Sequence, residues 1–425
     1  MATILKSNVL GVFITWRMAV VLLLGFSSGL PLALTATTLQ AWMKSENVDL
    51  TVIGLFSLVG LPYGLKFIWA PVMDRFIPPF LGRRRGWMLI SQIALIVTIA
   101  AMAFSSPVGF PVVTALIAVL ISFFSASQDI VVDAYRTDLA EPEEIGPAAS
   151  LYITGYRIGM LVSGAVALIL SDHLSWQVVY LVMAAAMGIG VVATLFAPEP
   201  KTAGKPPQTI REAVVLPFVE YFRRKGALEV LGFIILYKID VVIAMAMTTP
   251  FLLELGFTKT DIGAVTKGFG LVATIAGTLA GGAVMVTLGI KRSLWLFGLS
   301  QGISGLSFML LAHVGHDYPM MVIAIAVESF CSGMGTAAFT AFMMSICDKR
   351  FTATQYALFT SVMGLSRVIG SAPTGYLAKA LGWEQYFLLS VLAMAPGLLL
   401  LTRYSKWRLA ETTPEVRTAP PKSLV

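Results

Sequence analysis

Stretches of eighteen or more predominantly apolar residues follow one another along nearly the whole chain, each long enough to cross about 30 Å of hydrocarbon. No aqueous fold buries that much apolar surface. Of the 425 residues, 57% are hydrophobic and 12% charged, against about 25% charged in an ordinary soluble domain. Inside lipid an open-ended segment satisfies its backbone only as a helix, so the sequence reads as an all-α membrane protein. Twelve spans are expected, roughly at 17–42, 51–73, 87–105, 109–137, 148–170, 176–197, 227–254, 258–286, 291–313, 318–346, 352–378 and 384–404. Several exceed the hydrocarbon thickness, which predicts tilt. The first is too long for a signal peptide and lacks a small-residue cleavage site, so it reads as a retained span.

The net charge of +7 is explained by topology. With the amino terminus placed in the cytoplasm, twenty-two of the thirty Lys and Arg residues fall on the cytoplasmic side, and only Lys44, Lys259 and Lys379 fall outside. This asymmetry follows the positive-inside rule with both termini cytoplasmic, and it removes the reason to expect a nucleic-acid partner. The two cysteines, Cys331 and Cys347, lie about 24 Å apart on one predicted helix and cannot bridge. Neither a disulfide framework nor a metal site is expected.

The sequence repeats itself at offsets of 207–211. Thr37 and Thr38 answer to Thr248 and Thr249, Arg83 with Gln92 to Arg292 with Gln301, Arg157 to Arg367, and Trp176 to Trp383. Two parallel six-helix repeats are therefore expected: 1–197, then a polar cytoplasmic linker 198–226, then 227–404 and a cytoplasmic tail 405–425. That plan resembles the major facilitator fold, whose halves rock against each other. After the second span, Asp74 and Arg75 followed by Gly82, Arg83, Arg84 and Arg85 resemble the superfamily's loop signature. It reads as a charged latch on the inward face or as a topogenic cluster, and the two are compatible.

Nine ionisable residues lie inside the expected spans: Lys66, Asp129, Asp133, Arg157, Lys238, Asp240, Lys267, Glu328 and Arg367. At about 2.5–3.5 kcal/mol each, they persist only if they pair or face water, so they outline a hydrated cavity. Asp133 lies three residues before Arg136, on the same helical face, and is expected to pair with it as a structural or gating bridge. Asp129 lies roughly 14 Å deep, with Lys66 as a partner from another helix; it is either a proton-coupling residue or half of a static ion pair. Glu328 is its counterpart in the tenth span, and Lys66 and Asp240 are expected in ion pairs. Bases outnumber acids within the spans, and arginine grips a carboxylate bidentately. Arg157 and Arg367, with Lys238 and Lys267, therefore point to an anionic substrate or to pairing with cavity acids. Gln40, Tyr63, Trp69, Gln128 and Gln301 could add the amides and stacking faces that suit a sugar, or serve helix packing and hydrogen bonding.

Gly268, Gly270 and Ala273 match a dinucleotide fingerprint but sit inside a span without a preceding strand, so the match fails its own context. No phosphate-binding loop, nucleophile elbow or cofactor motif appears.

The stretches GFSSGLPLALTATTLQAWM (25–43), IGLFSLVG (53–60), KFIWAPVMDRF (66–76), GRRRGWMLISQI (82–93) and SASQDIVVDAYRTD (125–138) resemble the AmpG muropeptide permeases. So do GYRIGMLVSG (155–164), FCSGMGTAAF (330–339) and FTATQYALFTS (351–361). The resemblance runs from the first span to the twelfth. It implies a monomeric, proton-dependent importer in the bacterial inner membrane. Its substrate would be N-acetylglucosaminyl-1,6-anhydro-N-acetylmuramic acid, with or without stem peptide, carried for peptidoglycan recycling and linked to β-lactamase induction. Alternatives are a transporter of another anionic conjugate (nucleotide thioester or siderophore), a receptor without flux, and a membrane enzyme. The last two are disfavoured by the short cytoplasmic segments and by the missing nucleophile–base or metal cluster.

Overall fold

The computed structural model describes residues 9, 11–200, 207 and 209–407. Both termini, most of the expected 405–425 tail and linker residues 201–206 and 208 lie outside the described residues. The described chain is helical throughout, with ten helical stretches long and apolar enough to cross a membrane. One of them, Lys259–Val314, runs for 56 residues, far longer than any bilayer requires. It consists of two helices that meet at Gly289, whose φ of 71° and ψ of 165° are not helical. Thr352–Ser371, followed by Thr374–Leu381, occupies the expected 352–378 region and is not among the ten.

Local chemistry sets the helix starts. Thr15 and Ser175 accept the backbone N–H three residues on, from Met18 and Val178, and Asp317 does the same for Met320. Gly82, with φ 78°, admits the turn into Arg83–Ala103, so that helix begins before the expected residue 87. The region expected as one span at 51–73 is not a regular helix. It breaks into Leu50–Leu55, Phe56–Gly60, Leu61–Leu65, Lys66–Ile68 and Ala70–Arg75, two of them 3-10 segments. Pro62 and Pro71, with Gly54, Gly60 and Gly64, account for the interruptions, because proline removes a donor and glycine weakens the ladder.

Pairs of helices cross at backbone contact. A Cβ on Gly155 or Gly159 would overlap the carbonyl oxygens of Leu22 and Phe26; one on Gly25 or Gly29 would overlap those of Tyr152 and Tyr156. Gly277 and Gly333 stand in the same reciprocal relation to Phe330 and Thr274. Small residues at such crossings are how helices pack in lipid, where apolar surface alone supplies no preference.

Among the described residues the buried apolar side chains form three clusters. One draws only on residues between Leu30 and Met187, and another only on residues between Ala244 and Phe387. The third joins both ends of the sequence, with Met18, Val131 and Tyr152 in one cluster with Phe233, Phe342 and Tyr356. The two parts of the chain therefore share a core at one end of the molecule and have separate cores elsewhere. Gly155→Val and Gly277→Val are expected to lower stability by about 1–3 kcal/mol each through forced separation of the crossing helices. Thermal unfolding of the purified protein in detergent checks this; unchanged midpoints would contradict the crossing geometry.

Candidate functional site

The Pro111–Leu139 helix carries Gln128, Asp129, Asp133, Arg136 and Asp138, all of them buried. Asp133 accepts from Arg136 through Nε at 3.1 Å and Nη2 at 2.8 Å, the bond its i,i+3 spacing predicts. Lys66 is where the sequence reading needs correction. Its Nζ lies 3.7 Å from Asp133 Oδ2, so its ion pair is with Asp133, while Asp129 stays close enough to feel its charge. Lys66 opens a 3-10 segment in the broken second span, where residue order along a regular helix does not fix which carboxylate its long side chain reaches. Asp129 is 6% exposed, forms no ion pair among the described residues, and its Oδ1 has no hydrogen-bond partner. Tyr63 and Tyr156 lie close enough to feel its charge. The Tyr63 hydroxyl is likewise without a partner.

A second polar group lies in the later part of the chain. Gln301 accepts from Lys238 Nζ at 2.6 Å and donates through Nε2 to both Asp240 oxygens at 2.9 Å. Lys238 also donates to the Ser332 carbonyl at 3.2 Å. Two expectations are corrected here. Asp240 is held by an amide and not by a direct ion pair, and both ends of Gln301 are engaged within the protein. Glu328, 3% exposed, accepts from the Ser304 hydroxyl, while its other oxygen Oε1 has no partner. Asp129 and Glu328 are thus two buried carboxyls with a free oxygen each.

Arg157 and Arg367 make no hydrogen bond or ion pair among the described residues, yet they lie near enough to repel each other electrostatically. Arg157 also feels Lys238. Two guanidiniums from repeat-equivalent positions and a lysine therefore converge without a carboxylate to neutralise the arginines. Lys267 is exposed on a π-helical turn, Ala264–Phe269, and Gln40 is half-buried. Trp69 and Gln128 do not belong with the arginines. The Trp69 indole donates to Ser127 Oγ at 3.0 Å, and its ring packs on Phe123 along an apolar groove with Leu58 and Val119. Gln128 donates to Ser27 and Ser28 at 2.8 and 3.3 Å, which is helix-to-helix bonding.

The shared end of the molecule holds a charge cluster. Asp74, wholly buried, accepts from Arg83 at 2.9 Å and Arg84 at 3.2 Å. It also accepts from Thr354 N at 2.8 Å, Thr354 Oγ1 at 2.7 Å and Ala353 N at 3.3 Å. The Thr352–Ser371 helix has no side-chain cap of its own, and Asp74 supplies one from the other part of the chain. Arg84 reaches Asp138 at 2.7 Å, and Thr352 donates to the same carboxylate at 2.7 Å. Arg83 also donates to the Arg350 carbonyl at 3.2 Å. Arg136 donates to the Tyr356 hydroxyl and lies over the rings of Tyr152 and Tyr356, at 4.2 and 5.0 Å. Arg85 and Arg75 take no part in these crossings. Arg85 binds the carbonyls of Thr194 and Leu195, where a helix ends, and Arg75 lies 4.9 Å over Phe76. Arg84 takes part as the loop signature led one to expect, whereas sequence reasoning missed Asp138, Thr352, Thr354 and Tyr356. Asp138 escaped because the helix runs to Leu139, past the expected end at 137.

With this geometry in view, similarity to known proteins is informative. The Major Facilitator Superfamily pattern matches residues 21–371 and 230–423. The chain is 47% identical to the anhydromuropeptide permease of Escherichia coli K12, over 93% of this chain and 81% of that protein. It is 31% identical to a Rickettsia felis chain named as transporter AmpG 4, over 93% of this chain and 98% of that one. Two solved structures share the fold at low identity. The proton:xylose symporter XylE has a TM-score of 0.64 at 12% identity, covering 94% of this chain and 96% of that one. The human organic anion transporter MFSD10 has 0.62 at 16%, covering 93% and 99%. The chain belongs to the Major Facilitator Superfamily and, within it, to the family of the anhydromuropeptide permeases.

Proposed function

We propose that the chain is a proton-coupled importer of anhydro-muropeptides in a bacterial inner membrane. It works as twelve spans in two parallel six-helix bundles, 1–197 and 227–404, with linker 198–226, tail 405–425 and both termini cytoplasmic. The identity to the Escherichia coli permease over nearly the whole chain carries the substrate class. The twelve spans are the ten long apolar helical stretches, with Lys259–Val314 counted as two across Gly289 and the Thr352–Ser371 region added.

The mechanism follows from the charges. Arg157 and Arg367, unneutralised, offer bidentate donors to the carboxylates of a lactyl group or stem peptide. Lys238 and Lys267 add positive potential, while Tyr63 and Gln40 offer polar contacts to sugar hydroxyls. Asp129, with a free oxygen and no cation within ion-pair distance, takes the coupling proton, and Glu328 is its counterpart. Asp133, paired to both Lys66 and Arg136, ties the cavity to the latch through Tyr356. The Asp74 cluster closes the cytoplasmic end, so this arrangement receives substrate from the opposite side. Rupture of the cluster then exposes the cavity to the cytoplasm. The protein acts as a monomer between lipids, without a cofactor.

Counterflow of purified anhydro-muropeptide in proteoliposomes tests the substrate; uptake no higher than in empty vesicles rejects it. Asp129→Asn is expected to abolish accumulation driven by a proton gradient while exchange survives. Wild-type accumulation by that variant would remove Asp129 from coupling. Asp74→Asn leaves buried Arg83 without its carboxylate and Arg84 with Asp138 alone, a change that typically costs about 3–5 kcal/mol. Spin-label distances between the Arg83 turn and the Thr352 helix should therefore shift strongly toward a separated population. An unchanged distance distribution would show that the cluster does not hold this end shut.

A further inference from the structure

The charge cluster has no twin on the other seam of the same end. Gly82 and Gly289 both have positive φ, 78° and 71°, and both lead into a helix whose first residues are basic. On the first seam the bases are neutralised and buried, Arg83 and Arg84 by Asp74 and Asp138. On the second seam Lys291 and Arg292 are exposed and form no ion pair among the described residues. Small residues, Gly281 to Ala283, stand at the repeat position of Asp74. The repeat counterpart of Asp138 is Asp348, and it is already engaged, 2.7 Å from Arg350 and 3.9 Å from Arg224. Burial works to raise the Asp348 pKa, but hydrogen bonds from Arg350 outweigh it and hold the carboxyl below its usual range. The second pair of bases is left without its acids.

Those bases line a hollow of about 460 Å³, a size typical of small-ligand sites. Its walls come from both parts of the chain: Ile145 and Gly146 on one side, Met285 and Ile290 on the other, with Ser345 and Tyr404 between them. Lys291 Nζ lies 5.7 Å from the Tyr404 ring, and Glu143 is the single acid on the wall. Two cations over an apolar floor, at the end of a membrane protein that meets the head-group layer, suit a ligand with a phosphate.

We propose that this hollow is a binding site for a phosphate-bearing group, with its charge on Lys291 and Arg292. Because both parts of the chain form the walls, an occupant braces the closed arrangement of this end. The proposal concerns neither the transported substrate nor the coupling proton.

Native mass spectrometry of the full chain, released from vesicles of equal parts phosphatidylcholine and phosphatidylglycerol, tests it. Retained phosphatidylglycerol is expected on the wild type, and the K291Q/R292Q variant should lose it about thirtyfold, since each base is worth about 1 kcal/mol near an anionic surface. Ser345→Trp, which fills the hollow and keeps both cations, should lose it as well, and Glu143→Gln should retain more. In phosphatidylcholine nanodiscs, ³¹P line broadening of inorganic phosphate by the wild type, absent in the double variant, would assign the site to a soluble anion instead of a lipid. Equal retention and equal broadening across all four proteins would overturn the proposal. Loss in the double variant with full retention by Ser345→Trp would reduce it to diffuse surface attraction and overturn it equally.

Discussion

An ion held away from water must be matched by another charge or by hydrogen bonds, and this chain places many ions there. Most are matched in pairs or triplets. Asp133 is shared between Lys66 and Arg136, Asp74 between Arg83 and Arg84, and Asp240 is held through Gln301. What distinguishes the centre of the molecule is the remainder. Asp129 and Glu328 each keep an oxygen without a partner, and Arg157 and Arg367 stand without a carboxylate. Structural charges are closed circuits, and the open ones collect where a proton and an anion would have to be handled.

The same accounting explains how the two parts of the chain are joined at one end. Their shared apolar cluster lies with the Asp74–Arg84–Asp138 network, while separate cores serve the rest. One carboxylate does two jobs there. Asp74 neutralises two arginines and also receives the first N–H groups of a helix more than two hundred residues away in sequence. Elsewhere, glycine crossings such as Gly155 on Leu22 and Gly277 on Phe330 bind helices within each part as rigid pairs.

Much of this was legible from residue order. Hydropathy located the membrane helices, the 210-residue offset paired Arg157 with Arg367, and i,i+3 spacing joined Asp133 to Arg136. The misses have physical reasons. Pro62, Pro71 and the intervening glycines break the second span into short α and 3-10 pieces, so helix periodicity does not tell which aspartate Lys66 faces, and the structure pairs it with Asp133. The amides of Gln301 and Gln128 looked available for a sugar, yet hydrogen-bond demand inside the protein claims them. Nothing in a run of three arginines tells which turns inward; that depends on Asp138 and Thr354 arriving from elsewhere in the chain. That Lys291 and Arg292 lack a counterpart of Asp74 is readable from Ala283, but only the structure shows that Asp348 is taken up by Arg350 and Arg224.

The cap that Asp74 places on the Thr352–Ser371 helix has a consequence for how this end can part. Separation strips the Ala353 and Thr354 amides of their acceptor and parts Thr352 from Asp138 and Arg83 from the Arg350 carbonyl, while both arginines keep their pairing with Asp74 inside one part. Only solvent can replace those bonds, so the crack must wet as it forms. Agents that lower the activity of water should therefore slow any such parting, because the uncovered amides and the Asp74 and Asp138 carboxylates would rely on hydration.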